Sequence, residues 1–127
     1  MIGEVGVGKT SLATRMVREQ FDKFQDSTIG AAFFHARLDH VQLEIWDTAG
    51  QERYRSLVPM YVRGAGVAVL VAEASDPRSV SDLLEPWRWV LPDSCEVMLV
   101  RNKTDLVGEG ADVEALTAPS DELLHRP

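Results

Sequence analysis

The spacing of apolar residues changes repeatedly along this chain, and each change marks an element. Between Ser11 and Gln20, Leu12, Met16 and Gln20 fall on one side with Val17 nearby, and neither Gly nor Pro interrupts them; the spacing predicts a helix. Phe21 to Gly30 is polar and irregular, the pattern of a mobile surface loop. Val41, Leu43 and Ile45 then alternate with Gln42 and Glu44, the mark of a half-buried strand. Together with Phe33–Leu38, Val41–Trp46 predicts a hairpin across Asp39-His40. Glu52 to Arg63 is polar with some helical character.

Val67–Ala72 is an uninterrupted apolar run, as expected of a parallel strand covered on both faces. Ser79–Val90 predicts a helix opened by Ser75-Asp76-Pro77, with Pro86 inside it as a kink or stop. Glu96–Val100 predicts another short strand. Beyond Leu106 the chain turns Gly-, Ala- and acid-rich, with apolar content only at Val113–Leu116 and Leu123-Leu124, and no further strand is expected. Strands alternating with helices imply a three-layer α/β domain with a mostly parallel sheet. Ligand groups then gather at the carboxyl ends of the strands.

Composition narrows this modestly. A chain of 127 residues suggests a single domain able to bury a core. A net charge of −7 argues against nucleic acid, which calls for a basic face, but not against phosphate held by a local backbone nest. The lone Cys95 excludes an internal disulfide, fits a reducing compartment and reads as a small apolar side chain. No apolar run approaches the ~18 residues of a membrane span, and no signal-peptide pattern opens the chain. The last residues, Leu-Leu-His-Arg-Pro, offer no cysteine for a prenyl group. A cytoplasmic protein is the expectation. His35, His40 and His125 lack ligand-like spacing and read as solvated or loop residues.

The candidate chemistry begins at Gly3–Thr10, GEVGVGKT, which fits the phosphate-loop pattern of a glycine, four residues, then Gly-Lys-Ser/Thr. Glycines let backbone N–H groups turn inward around phosphate oxygens. Lys9 can reach the β- and γ-phosphates, the Thr10 hydroxyl can ligate Mg²⁺, and the helix that follows presents its positive end to the same anion. The pattern also calls for a leading strand, and only Met1 and Ile2 precede it.

Three further motifs follow in order. FQDSTIGAAF (Phe24–Phe33), WDTAGQERY (Trp46–Tyr54) with PMYVRGA (Pro59–Ala65), and Asn102-Lys103-Thr104-Asp105 together resemble a Ras-superfamily small GTPase of the Rab family, its early-endosomal branch in particular. The resemblance is close over residues 3–72 and looser over 73–106; it divides the chain into a partial GTPase domain, 1–106, and a divergent tail, 107–127. It implies a P-loop NTPase fold that lacks the first strand, the last strand and the last helix.

The resemblance also implies roles. Gly3, Val5, Gly6, Val7, Gly8, Lys9, Thr10 and Ser11 would form the phosphate loop. Asn102 and Asp105 would select guanine, because a carboxylate accepts from both its ring N–H and its exocyclic amine, a pattern adenine lacks. Lys103 would lie along the base and Phe21 would stack across it, although Phe21 also reads as a core aromatic. Thr10, Thr28 and Asp47 would hold Mg²⁺, Gly50 would donate to the γ-phosphate, and Gln51 would orient the attacking water. Thr28 would meet the γ-phosphate as well, so its loop should order only with GTP. Phe33, Trp46 and Tyr61 match three aromatics through which Rab proteins meet effectors, although aromatics are also common in ordinary cores. Arg53-Tyr54-Arg55 is either a solvated face or a partner contact.

The chain also departs from the family. Val5 stands where relatives carry a small residue and should crowd Gln51, slowing hydrolysis. The hairpin is shorter than in relatives by about four residues, which keeps strand parity. Pro86 and a short connection to Glu96 make the later helix irregular. The expected function is a GTP/GDP switch with Mg²⁺ that hydrolyses GTP in vesicle traffic, meeting effectors, exchange factors and activating proteins through its switch regions. Endosomal membrane association is implied by the resemblance alone. The alternative is a Rab-derived interaction module without stable nucleotide binding; a P-loop kinase or ATPase is disfavoured by Asn102, Asp105 and DTAGQ.

Overall fold

The computed structural model describes residues 1–78 and 80–108. The tail beyond Gly108, including Val113–Leu116, Leu123-Leu124 and His125, lies outside the described residues. The elements run α1 (Lys9–Arg18), β1 (Ala31–Leu38), β2 (Val41–Thr48), α2 (Val58–Val62), β3 (Val67–Glu73), α3 (Val80–Leu84) and β4 (Glu96–Asn102), an α/β order. Short 3₁₀ turns precede α2 and follow α3 and β4.

The strands form two pairs. β1 and β2 are antiparallel, with Phe33 opposite Trp46 and Leu38 opposite Val41, so the predicted hairpin stands and the strands run slightly further than the alternation suggested. β3 and β4 are parallel, Val67 facing Glu96 and Glu73 facing Asn102. Met1 and Ile2, immediately before the phosphate loop, join the two pairs. The Met1 carbonyl accepts from the Thr48 N–H at 3.3 Å and hydroxyl at 2.8 Å. Ile2 donates to the Val69 carbonyl at 2.8 Å and accepts from the Val71 N–H at 2.9 Å, a parallel bridge.

Ile2 is also in the core, with Val58, Val62, Leu70, Leu84 and Trp87. Period-two alternation in β3 sends Ala68, Leu70 and Ala72 into that cluster. The other face of β3 is less covered than its apolar run implied: Val71 is buried, but Val67 is 51% exposed and Met98 of β4, opposite Val69, is exposed as well. The expectation of cover on both faces therefore fails at the start of the strand. The predicted helix over 79–90 is also corrected. α3 ends at Leu84 and the chain tightens into a 3₁₀ turn over Glu85–Trp87, because Pro86 lacks an N–H to continue the helix. Trp87, placed by that turn, is among the largest fully buried side chains. Among the described residues, no helix is long and apolar enough to cross a membrane.

Candidate functional site

The carboxyl ends of β2 and β4, with the loop before α1 and the segment 21–28, surround one cleft of about 670 Å³. The phosphate loop forms its floor. Gly8 caps α1 with φ of 96°, and a Cβ there would stand 2.2 Å from the Asn102 side-chain nitrogen, so both backbone angle and space require glycine. Asn102 donates to the Val7 carbonyl at 2.9 Å, which ties the end of β4 directly to the loop. Lys9 is buried; its ammonium donates back to the carbonyls of Gly3 at 3.1 Å and Glu4 at 2.6 Å. Burial pushes the Lys9 pKa down, against the opposing pull of Asp47.

Thr10, Thr28 and Asp47 converge behind the loop. The Thr10 hydroxyl donates to Asp47 Oδ2 at 2.5 Å and lies 2.7 Å from the Thr28 hydroxyl, which itself reaches Asp47 Oδ2 at 3.4 Å. Asp47 is 0% exposed and its Oδ1 has no hydrogen-bond partner. Burial pushes its pKa up, offset in part by the Thr10 hydrogen bond and by Lys9. An ionised carboxylate taken from water with one oxygen unpartnered is costly, and an oxygen-seeking cation removes that cost. Two hydroxyls on one carboxylate oxygen, with the other oxygen unpartnered, are a donor set suited to Mg²⁺.

Val5, Gly6, Ser11, Gly50, Gln51, Phe21, Lys103 and Asp105 also line the cleft. Gly3, Val7 and Asp47 sit behind the lining instead. Phe21 is 70% exposed, which removes its reading as a core aromatic. The backbone at 49–50 is fixed from two sides: Ala49 donates to the Gly30 carbonyl at 2.8 Å, and Gly50 packs on the backbone of Glu4 and Val5. Away from the cleft, Phe33, Trp46 and Tyr61 stack in a row, with centroids 4.6 and 5.1 Å apart. Phe33 and Trp46 are both exposed, so this row is a surface feature.

A family model described as the Ras of Complex (Roc) domain of DAPkinase matches residues 1–105. The chain belongs to this Roc/Ras family of GTPase domains. Its relatives are Rab5-type proteins, as the motif resemblance implied. The domain is 42% identical over 132 residues to Ras-related protein Rab5A of Oryza sativa, covering 96% of this chain and 61% of the relative. It is 40% identical over 136 residues to GTP-binding protein ypt5 of Schizosaccharomyces pombe, covering 97% and 64%. Against Ras-related protein RABF2a of Arabidopsis thaliana the identity is 54% over 83 residues, covering 62% and 42%. The chain spans less than two thirds of the length of these relatives.

Three residues of this Roc/Ras domain that sequence reasoning left unassigned also shape the cleft. Glu4 supplies the carbonyl that holds Lys9, Met1 braces Thr48, and Glu73 forms an ion pair with Lys103. Glu4 is the one charged side chain between Gly3 and Gly8, and Glu73 is the first charge after a long apolar run. Those were the available signals.

Proposed function

We propose that this chain is a Rab-type switch that binds GTP and GDP and hydrolyses GTP to GDP and phosphate. Residues 1–106 would form its GTPase domain, with 107–127 a divergent tail. The observation that supports this best is the single cleft in which the phosphate loop, Gln51 and the Asn102–Asp105 motif meet. Backbone N–H groups of Gly6 and Gly8 and the Lys9 ammonium receive the β- and γ-phosphates, with Gly3, Val5, Val7 and Ser11 shaping the loop and helix start. Asp105 accepts from the guanine edge. Asn102 braces the loop through Val7, and Lys103 and Phe21 flank the base. Gly50 donates to the γ-phosphate and Gln51 orients the attacking water.

Thr10, Thr28 and Asp47 would hold Mg²⁺. When bound, the ion neutralises charge on the phosphate oxygens. Asp47→Asn keeps the carboxyl's shape and removes the buried charge. The expected outcome is a chain that melts roughly 3 °C higher without ligand, while added Mg²⁺ no longer strengthens GDP binding. Melting curves and GDP titrations with and without Mg²⁺ read both effects; an unchanged Mg²⁺ dependence removes Asp47 from the set.

The three aromatics on the hairpin and α2 form a face for effector proteins, and the switch segments meet exchange factors and activating proteins. We place its work in vesicle traffic at the endosomal membrane, by analogy with the Rab resemblance. The decisive experiment is nucleotide content after gentle purification, followed by titration with fluorescent GDP against competing ATP. Stoichiometric GDP or GTP that ATP does not displace is expected; an empty chain refutes the reading.

Val5 is 55% exposed and stands at the cleft next to the backbone that packs on Gly50. Its branched side chain restricts the room for Gln51 and for an arginine supplied by an activating protein. Val5→Gly is expected to raise single-turnover GTP hydrolysis about tenfold, on the scale at which misplaced catalytic groups cost rate. Equal rates would remove Val5 from the account.

A further inference from the structure

The turn Asp76-Pro77-Arg78 after β3 belongs to none of the motifs, yet it is tied to both ends of the cleft. The Arg78 guanidinium donates through its two terminal nitrogens to the Glu4 carboxylate, at 2.8 and 2.9 Å. Its Nε and one terminal nitrogen also donate to Asp76, at 3.0 and 2.5 Å. On the other side, Arg101 donates to the carbonyls of Asp76 at 2.6 Å and Arg78 at 2.8 Å. Arg101 immediately precedes Asn102, the first residue of the guanine motif.

Glu4 is the meeting point. Its side chain takes Arg78's fork, its carbonyl accepts from Lys9 at 2.6 Å, and its backbone closes against Gly50. A Cβ added to Gly50 would stand 2.5 Å from the Glu4 carbonyl carbon and the Val5 nitrogen, so Gly50 lies directly against the Glu4–Val5 peptide. An isolated exposed ion pair holds little, because water screens it. Arg78 differs in engaging one carboxylate with two parallel bonds while Asp76 fixes the guanidinium plane, the geometry in which arginine adds orientation as well as attraction. Arg78 holds the Glu4 carboxyl below its usual range and the Asp76 carboxyl down to about 2.

We propose that Arg78 is a positioning residue for the phosphate loop, setting Glu4 and the N–H groups after it and linking them through Arg101 to the guanine end of the cleft. This rests on the GTP/GDP reading above. Because the loop grips the β-phosphate, GDP should sense Arg78 and GMP should not.

The test compares GDP and GMP affinities of the full chain, wild type against Arg78→Ala, Glu4→Ala, Glu4→Gln, Arg78→Lys and the double variant Arg78→Ala/Glu4→Ala. Arg78→Ala is expected to weaken GDP roughly fivefold and leave GMP unchanged. The double variant should lose no more than either Ala single variant, because both break one link. Arg78→Lys, which keeps the charge without the fork, should recover part of the loss. Glu4→Gln keeps the side chain's shape and should show the same selective loss, which gives the comparison even where Arg78→Ala fails to fold. Parallel losses for GDP and GMP, or additive effects of Arg78→Ala and Glu4→Ala, would overturn the proposal. A wild-type chain that binds neither nucleotide overturns the functional reading first, and this inference with it.

Discussion

Replacing Lys9 by Met should weaken GDP binding by about 30- to 1000-fold while leaving the empty chain at least as stable as before. The two effects have opposite signs because the ammonium is buried with backbone carbonyls rather than a carboxylate as its hydrogen-bond partners. Without nucleotide, its hydrogen bonds go to the carbonyls of Gly3 and Glu4, and burial already pushes its pKa down. Methionine fills the same channel with an unbranched apolar stem and no charge to desolvate. With nucleotide, each charge-assisted bond from the ammonium to a phosphate contributes about 2 kcal/mol, so losing one or two gives the range above. Thermal melts without ligand and fluorescent-GDP titrations separate the arms. A chain that loses affinity and stability together would assign Lys9 to the scaffold alone.

Lys9 illustrates what was legible in the sequence. The motif placed it, because a glycine-rich turn before a helix admits few side chains and only one of them is cationic. Its partners without phosphate, the carbonyls of Gly3 and Glu4, were invisible, since backbone direction in such a loop depends on dihedral angles that no residue pattern spells out. Asp47 was legible as an acid at a strand end, but its orphaned oxygen was not, because that follows from the depth of β2. The hairpin was read well because period-two alternation fixes a face. The helix over 79–90 was overextended because its apolar spacing outweighed Pro86, whose effect is steric and local. Val67 was misjudged for a related reason: an apolar run reports what a strand tolerates, while exposure depends on what packs over it. Arg78 carried no sequence signal at all. Its partner Glu4 lies 74 residues away, and only the return of β3 past the phosphate loop brings them together.

Ile2→Ala should destabilise the chain by about 3 kcal/mol, a large share of the 5–15 kcal/mol typical of a domain. Ile2 is 1% exposed and packs among Val58, Leu70 and Trp87, so truncation opens a cavity where the surrounding side chains are already fixed. Its backbone bonds to Val69 and Val71 survive the substitution, and so does the Met1 bond to Thr48. The loss would therefore measure the side chain's part in holding the two strand pairs together. Ile2→Val, which removes one methyl group, should cost about 1 kcal/mol, and Val67→Ala, at an exposed apolar position of the neighbouring strand, less than about 0.5 kcal/mol. Urea unfolding of the three variants reads these differences, with the slope unchanged if the transition stays two-state. A small effect at Ile2 would mean that the β1–β2 hairpin and the β3–β4 pair hold together without the bridge. A large one would also tie nucleotide affinity to it, since the phosphate loop begins at the next residue and inherits its position from Ile2.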